Sequence, residues 1–195
     1  MYSLSSDLEL IQLYRKGNTQ AFETLFYRYQ EKIFSTISFL VKDTYAAEDI
    51  MQDVFCRIID TIHAGKYNEE GKFLSWATCV AHNMCMDYFR KIKRKPTILT
   101  GDNMDFMQLI GATDTDRELP KKVENFSKIE DYINELPDDQ RAVLVLKIYG
   151  NLKFHEIAAL TGCSLNTALG RMRYAISGLR KKLQVPEKRA LAARH

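Results

Sequence analysis

Cysteine is scarce in this chain: Cys56, Cys79, Cys85 and Cys163 are its four, and no two of them form a CxxC pair. That excludes the dense disulfide framework of small secreted domains and fits a reducing cytosol. Long apolar runs are missing as well. The N-terminal stretch MYSLSSDLELIQLYRKGN has acids and polar residues where a signal peptide needs an unbroken apolar core. No later stretch reaches the roughly 18 apolar residues of a membrane span, so a cytoplasmic protein with no direct membrane insertion is expected. Alternating strand patterns, internal repeats and low-complexity tracts are also lacking. No paired carboxylates, nucleophile triad or phosphate loop stands at credible spacing, so neither enzymatic activity nor a cofactor is expected.

What the chain does have is apolar residues and segregated charge. Its 195 residues are 46% hydrophobic, enough to bury one domain or two small ones. The net charge of +3 is mild, but its distribution is not. From Ser164 to the end, eight Lys or Arg face one acid, Glu187, whereas residues 98 to 120 hold five acids against Arg117. One segment is built for a polyanion and another for a basic surface.

Helical punctuation is frequent. Ser6 followed by Glu9 forms the pattern of a capping box, and Gly17 closes the short helix that follows. A second helix is expected from about Thr19 to Val41, with Phe22, Phe26, Ile33, Ile37 and Leu40 on one face. Asp43 can cap a third, with apolar rows Ile50, Val54, Ile58, Ile62 and Met51, Phe55, Ile59, ended by Gly65. A fourth runs from about Phe73 to Arg94 and stops before Pro96. After a Gly-, Asp- and Thr-rich stretch come a helix near Ser127 to Leu136 and another to about Tyr149, with Pro137 in its first turn. The expected fold is all-α: two small helical domains, residues 1–95 and 123–187, joined by an acidic linker over 96–122, with a basic tail at 188–195.

Three constellations carry chemistry. In the segment from Phe154 to Tyr174, Ala158 is small where two helices cross, Gly162 permits a turn, and Ser164 starts a new helix; this is helix-turn-helix spacing. Leu165, Asn166 and Thr167 would then lie near base edges, with Arg171 and Arg173 further along to meet bases or phosphates. In AAEDIMQDVFCRI, Asp49, Gln52 and Asp53 share one polar face at i, i+3 and i+4. In FLSWATCVAHNMCMDYFRKIKRK, Cys79, His82 and Cys85 step by three, which places the cysteines roughly 120° apart around the helix. They cannot converge on one ion, so buried cysteines and no metal are expected. Asn83, Asp87 and Arg90 do share a face, continued by Lys91 and Arg94 and bordered by Trp76, Tyr88 and the loop residue Tyr67. Aromatic rings beside cations suit unstacked single-stranded bases.

Taken together these motifs resemble the extracytoplasmic-function (ECF) sigma factors of bacterial RNA polymerase, over residues from about 7 to 183. AAEDIMQDVF is similar to the family's polymerase-binding helix, FLSWATCVAHNMCMDYFR to its promoter-melting helix, and YGNLKFHEIAALTGCSLNTALGRMRYA to its minus-35-reading helix-turn-helix. The resemblance implies that Asp49, Gln52 and Asp53 face core RNA polymerase. It implies that Asn83 lines a pocket for a base flipped from the minus-10 strand, closed by the loop around Tyr67, while Arg90 and Lys91 hold backbone. It also implies an anti-sigma partner, although no residue displays one. The chain departs from the family at Lys153, where a serine or threonine usually begins the first helix of the motif; the cap is lost there, and the lysine can meet a phosphate instead. It departs again at Leu169 and Gly170, where a lysine and a serine are common. A free-standing dimeric helix-turn-helix regulator is the alternative reading, and it leaves the Asp49 to Asp53 face without a task.

Overall fold

The computed structural model describes residues 5–68, 71–94 and 124–192; the linker expected over 96–122 lies outside them. Among the described residues there are eight helices and no strand: α1 (Asp7–Arg15), α2 (Thr19–Val41), α3 (Thr44–His63), α4 (Phe73–Arg94), α5 (Glu124–Asn134), α6 (Asp138–Ile148), α7 (Phe154–Leu160) and α8 (Leu165–Ala192). They form two compact units, α1 to α4 and α5 to α8. None of the described helices is long and apolar enough to cross a membrane.

In the first unit the ends of the helices are set by local chemistry. Ser6 Oγ accepts from the Glu9 N–H and Glu9 Oε2 from the Ser6 N–H, the reciprocal bonds of a capping box. Asn18 and Asp43 accept from Ala21 and Ala46 to start α2 and α3. Gly17 and Gly65, at φ 96° and 67°, make the left-handed turns after α1 and α3 that residues with a Cβ adopt at a cost. Lys42 adopts the same region, at φ 59°, without that licence.

The apolar rows then meet. Ile50, Val54, Ile58 and Ile62 of α3 are buried, together with Leu25, Ile33 and Ile37 of α2 and Phe73, Ala77, Ala81 and Cys85 of α4. The second expected row of α3 is only partly enclosed, and its Phe55 packs on Phe26 with ring centroids 4.6 Å apart. Outside this core, Asp7 ties α1 to α2: its carboxylate takes Arg28 Nη1 and the Tyr29 hydroxyl, each at 2.6 Å. Burial and the Asp7 hydrogen bond push the Tyr29 phenol up to about 12.

His82 is the exception in an apolar seam. It is 3% exposed and its Nδ1 has no hydrogen-bond partner. Burial pushes its pKa below 6.5, with the Asn83 side chain pulling weakly the other way. A folded pKa below the unfolded one means that, as pH falls below about 6.5, the unfolded chain takes up a proton that the folded chain refuses, so stability is lost toward acid. The expected slope approaches about 1.4 kcal/mol per pH unit at most until the folded pKa is reached. Urea unfolding followed by the fluorescence of Trp76, the single tryptophan, reports this unit alone. His82→Met should flatten the dependence between about pH 7.5 and 5.5; equal slopes in both proteins would assign it elsewhere.

In the second unit α8 packs on α5, α6 and α7. Four successive residues of α6, Val143 to Leu146, are buried, so this helix is enclosed on most sides. Ala168 and Ala175 of α8 are fully buried and let that helix approach closely, and Gly178 would place a Cβ 3.6 Å from Leu136. Two expected boundaries shift. The helix expected near Ser127 to Leu136 is α5, which begins earlier and ends at Asn134. Pro137 stands just before α6 rather than in its first turn, its carbonyl accepting from the Gln140 and Arg141 N–H groups at 2.9 Å. Residues 188–192 of the expected basic tail continue α8, and 193–195 lie outside the described residues.

Candidate protein and nucleic-acid interfaces

On α3, Asp49, Gln52 and Asp53 are all exposed, because the opposite face is committed to the core row from Ile50 to Ile62. On α4, Asn83, Asp87, Arg90 and Lys91 are exposed while Thr78, His82 and Cys85 turn inward. Cys79 is half-buried, so the two cysteines of this helix have different surroundings.

The sequence treats the α3 and α4 faces separately, and the fold joins them. Asp49 and Asp53 line one groove with Asp87, Tyr88, Arg90, Lys91 and Arg94, with a volume of about 500 Å³. Three carboxylates and three cations therefore share one concave surface. Asp87 and Arg90 pair at 3.0 Å, but both are more than half exposed, so the pair stabilises little. Met84 and Ala46 also line the groove; neither is polar enough to stand out from the sequence.

Tyr67 differs from expectation. Instead of standing open at the edge of the α4 face it is 6% exposed. Its ring lies against Trp76 and Phe73, with centroids 4.3 and 5.9 Å away, and its carbonyl accepts from Arg15 at 2.7 Å. An aromatic ring in a loop otherwise polar gains more by burial on its neighbours than by facing water. In this arrangement the ring anchors the loop and is not presented to a base.

The turn between α7 and α8 has the expected parts. Gly162 is left-handed at φ 65°, the Cys163 N–H bonds back to the Ala158 carbonyl at 3.0 Å, and Ser164 Oγ accepts from the Thr167 N–H at 3.1 Å. Ser164 and Thr167 also share a hydroxyl contact at 2.8 Å. At the start of α7 the lysine that replaces a capping side chain offers no acceptor, and only the reciprocal bond remains, from the Lys153 N–H to Glu156 Oε2 at 2.6 Å. The Lys153 side chain is exposed. Leu165, Asn166, Thr167 and Arg173 are exposed on α8.

Arg171 is a correction to the expected pair of DNA-facing arginines. It is half-buried and its guanidinium is held by the Asp139 carboxylate of α6, since its helix position faces back toward the packing side. Reaching DNA would require it to leave that partner. Gly170 has open space where a Cβ would stand; glycine costs about 1 kcal/mol in a helix relative to alanine, and the interior packing of the unit offers no reason for it.

Comparison with known proteins places both units. Residues 25–95 match the Sigma-70 region 2 family and residues 126–173 the Sigma-70 region 4 family. The chain is 26% identical to the RNA polymerase sigma-H factor of Pseudomonas aeruginosa over 190 residues, covering 94% of this chain and 97% of that one. It is 28% identical to the ECF RNA polymerase sigma factor SigW of Bacillus subtilis, covering 89% and 95%. Among solved structures it shares its fold with the sigma factor RpoE of Bartonella quintana, solved with the anti-sigma factor NepR, at TM-score 0.64 and 18% identity over 84% of this chain and 97% of that one. CnrH, solved with the cytosolic domain of CnrY, is similar at TM-score 0.57 and 20% identity, covering 92% and 97%. The fold and the ordered pair of regions define a two-domain transcription-initiation factor, and the chain belongs to the sigma-70 family, as an ECF sigma factor.

Proposed function

We propose that this sigma factor engages core RNA polymerase through Asp49, Gln52 and Asp53 and opens the minus-10 element with the neighbouring face of α4. It reads the minus-35 element with α8. The observation that carries this reading is the shared groove, where the exposed acids of α3 stand beside the exposed Arg90 and Lys91 of α4. A protein partner and a DNA strand can then be bound side by side by one unit. Asn83 is exposed one turn before Asp87, in position to meet an unstacked base, while Tyr67 supports the adjoining loop from beneath. Arg90 and Lys91 hold phosphates. On the second unit, Ser164, Leu165, Asn166, Thr167 and Arg173 face the major groove, Lys153 meets backbone, and Arg171 joins them only after release from Asp139.

The working division is residues 1–95 for polymerase and minus-10 binding, 123–187 for minus-35 binding, an acidic linker over 96–122 and a basic tail over 188–195. The linker's charge suits a basic channel of the polymerase. An anti-sigma factor is a further partner, supported by the solved relatives RpoE and CnrH, the one in complex with NepR and the other with the cytosolic domain of CnrY. The protein acts in the cytoplasm and has no catalytic activity of its own.

Run-off transcription from a promoter library by purified core polymerase, with and without this chain, tests the reading: a defined subset of promoters should fire only with it. On such a promoter Asn83→Ala should retain polymerase binding but lose strand opening, because the few kcal/mol of unstacking a base are no longer offset. Unchanged permanganate reactivity of the melted strand would remove Asn83 from the site.

A further inference from the structure

We infer that Leu165 and Leu169 read thymine 5-methyl groups in the minus-35 element, an inference that rests on α8 being the helix that enters the major groove. Ala168 and Ala175 fix the side of α8 that faces the unit, since both are fully buried. Leu165, Leu169 and Arg173 follow one another at i, i+4 and i+8 along a ridge that starts at the border of the packed side, with Leu165 about 60° around the axis from Ala168, and leads outward to Arg173 at about 140°. The two leucines are 47% and 39% exposed.

Single exposed leucines are ordinary, but two stacked on the helix turn that sits nearest the bases are a surface with a purpose. Its occupant is indicated by the exposed Arg173 on the same ridge and by the balance of the whole segment, eight Lys or Arg against one acid from Ser164 onward, which suits a polyanion. Within a major groove the one methyl group on any base edge is that of thymine; guanine, adenine and cytosine are distinguished there by their hydrogen-bonding groups. A leucine can neither donate nor accept, so it favours thymine and penalises the other bases by desolvating their polar edges.

Gly170 completes the surface. It follows Asn166 at i+4 and precedes Arg173 by three, and open space stands where its Cβ would be. The outward face of the helix is therefore bare between Asn166 and Arg173, which lets the backbone come closer to the groove and brings Leu169 within reach of its floor.

The test uses holoenzyme reconstituted from core polymerase and the full chain. Templates randomised over the minus-35 window ahead of a fixed minus-10 element are selected by run-off transcription. Each selected thymine is then replaced by deoxyuridine, which removes only the methyl. Transcription should fall about fourfold at one or two positions, the scale of one methyl-sized group withdrawn from water. Leu165→Ala and Leu169→Ala should lose as much on the thymine template and become indifferent to deoxyuridine at one of those positions. Both leucines are exposed, so both variants are expected to fold, and circular dichroism checks it. Deoxyuridine tolerated everywhere, on templates that a scrambled minus-35 window silences, would overturn the methyl reading while leaving α8 as the reader. A scrambled window without effect would overturn the role of α8 and this inference with it.

Discussion

Asp53→Arg is expected to lose core polymerase and, with it, transcription from every cognate promoter at once. The residue is exposed on α3 and lines the groove with Asp49. Reversal brings a like charge to a surface that acidic side chains recognise, and juxtaposed like charges at an interface cost on the order of several kcal/mol. A loss of that size is at least a hundredfold in affinity, since about 1.4 kcal/mol is tenfold. The fold should be unaffected: Asp53 caps no helix and fills no core position, and the new charge beside Arg90, Lys91 and Arg94 is screened by water. Co-purification with core polymerase, measured beside activity on several promoters, decides the matter. Undiminished binding would take this face away from the polymerase and assign the polymerase contact to another surface of the chain.

Helix ends were legible because their chemistry is local. Ser6 with Glu9, Asp43, Gly65 and Ser164 each satisfy or turn the backbone within four residues, so their patterns predict boundaries that the fold reproduces. The row from Ile50 to Ile62 in α3 and Ile33, Ile37 and Leu40 in α2 were legible for a similar reason, since period 3.6 and burial are one fact seen twice, whereas Phe22 and Phe26 are half-buried and Leu25 takes the core place beside them. What could not be read depends on which distant side chain is near. Tyr67 in its polar loop reads as exposed until Trp76 and Phe73 are folded beneath it. Arg171 reads as a DNA contact until Asp139, 32 residues earlier, is brought across from α6. The α3 and α4 faces read as two sites because no periodicity says that two helices share a groove. Of the candidate site, the residue types and helix faces were visible in the sequence, and their partners were not.

Arg141 shows the same limit with the largest expected effect on stability. Nothing in PDDQRAVLVLK distinguishes it from a surface arginine, yet it is 3% exposed. Its Nη1 donates to the Leu136 carbonyl at 2.8 Å and to the Asn134 carbonyl at 3.4 Å, and its Nη2 meets the Asp138 carboxylate. Asn134 is the last residue of α5 and Leu136 stands two residues beyond it, so Arg141 serves one carbonyl of the helix end and one of the turn that follows. A cation there also suits the negative end of the helix dipole. Arg141→Met keeps the length of the side chain and removes every donor, leaving the buried Leu136 carbonyl without this partner, at a cost of about 1 to 3 kcal/mol. Asp138→Asn should cost less than about 1 kcal/mol, because that carboxylate is 65% exposed and the guanidinium keeps its carbonyl partners. Hydrogen exchange read by mass spectrometry on the full chain separates the two: Arg141→Met should deprotect peptides from α5, α6 and α8 together, while urea unfolding of the first unit, followed by Trp76, stays in place. Minus-35-dependent transcription should fall in the same variant, since α8 loses the platform that positions it. If Arg141→Met and Asp138→Asn deprotect α5 equally, the helix-end carbonyls are not what Arg141 holds.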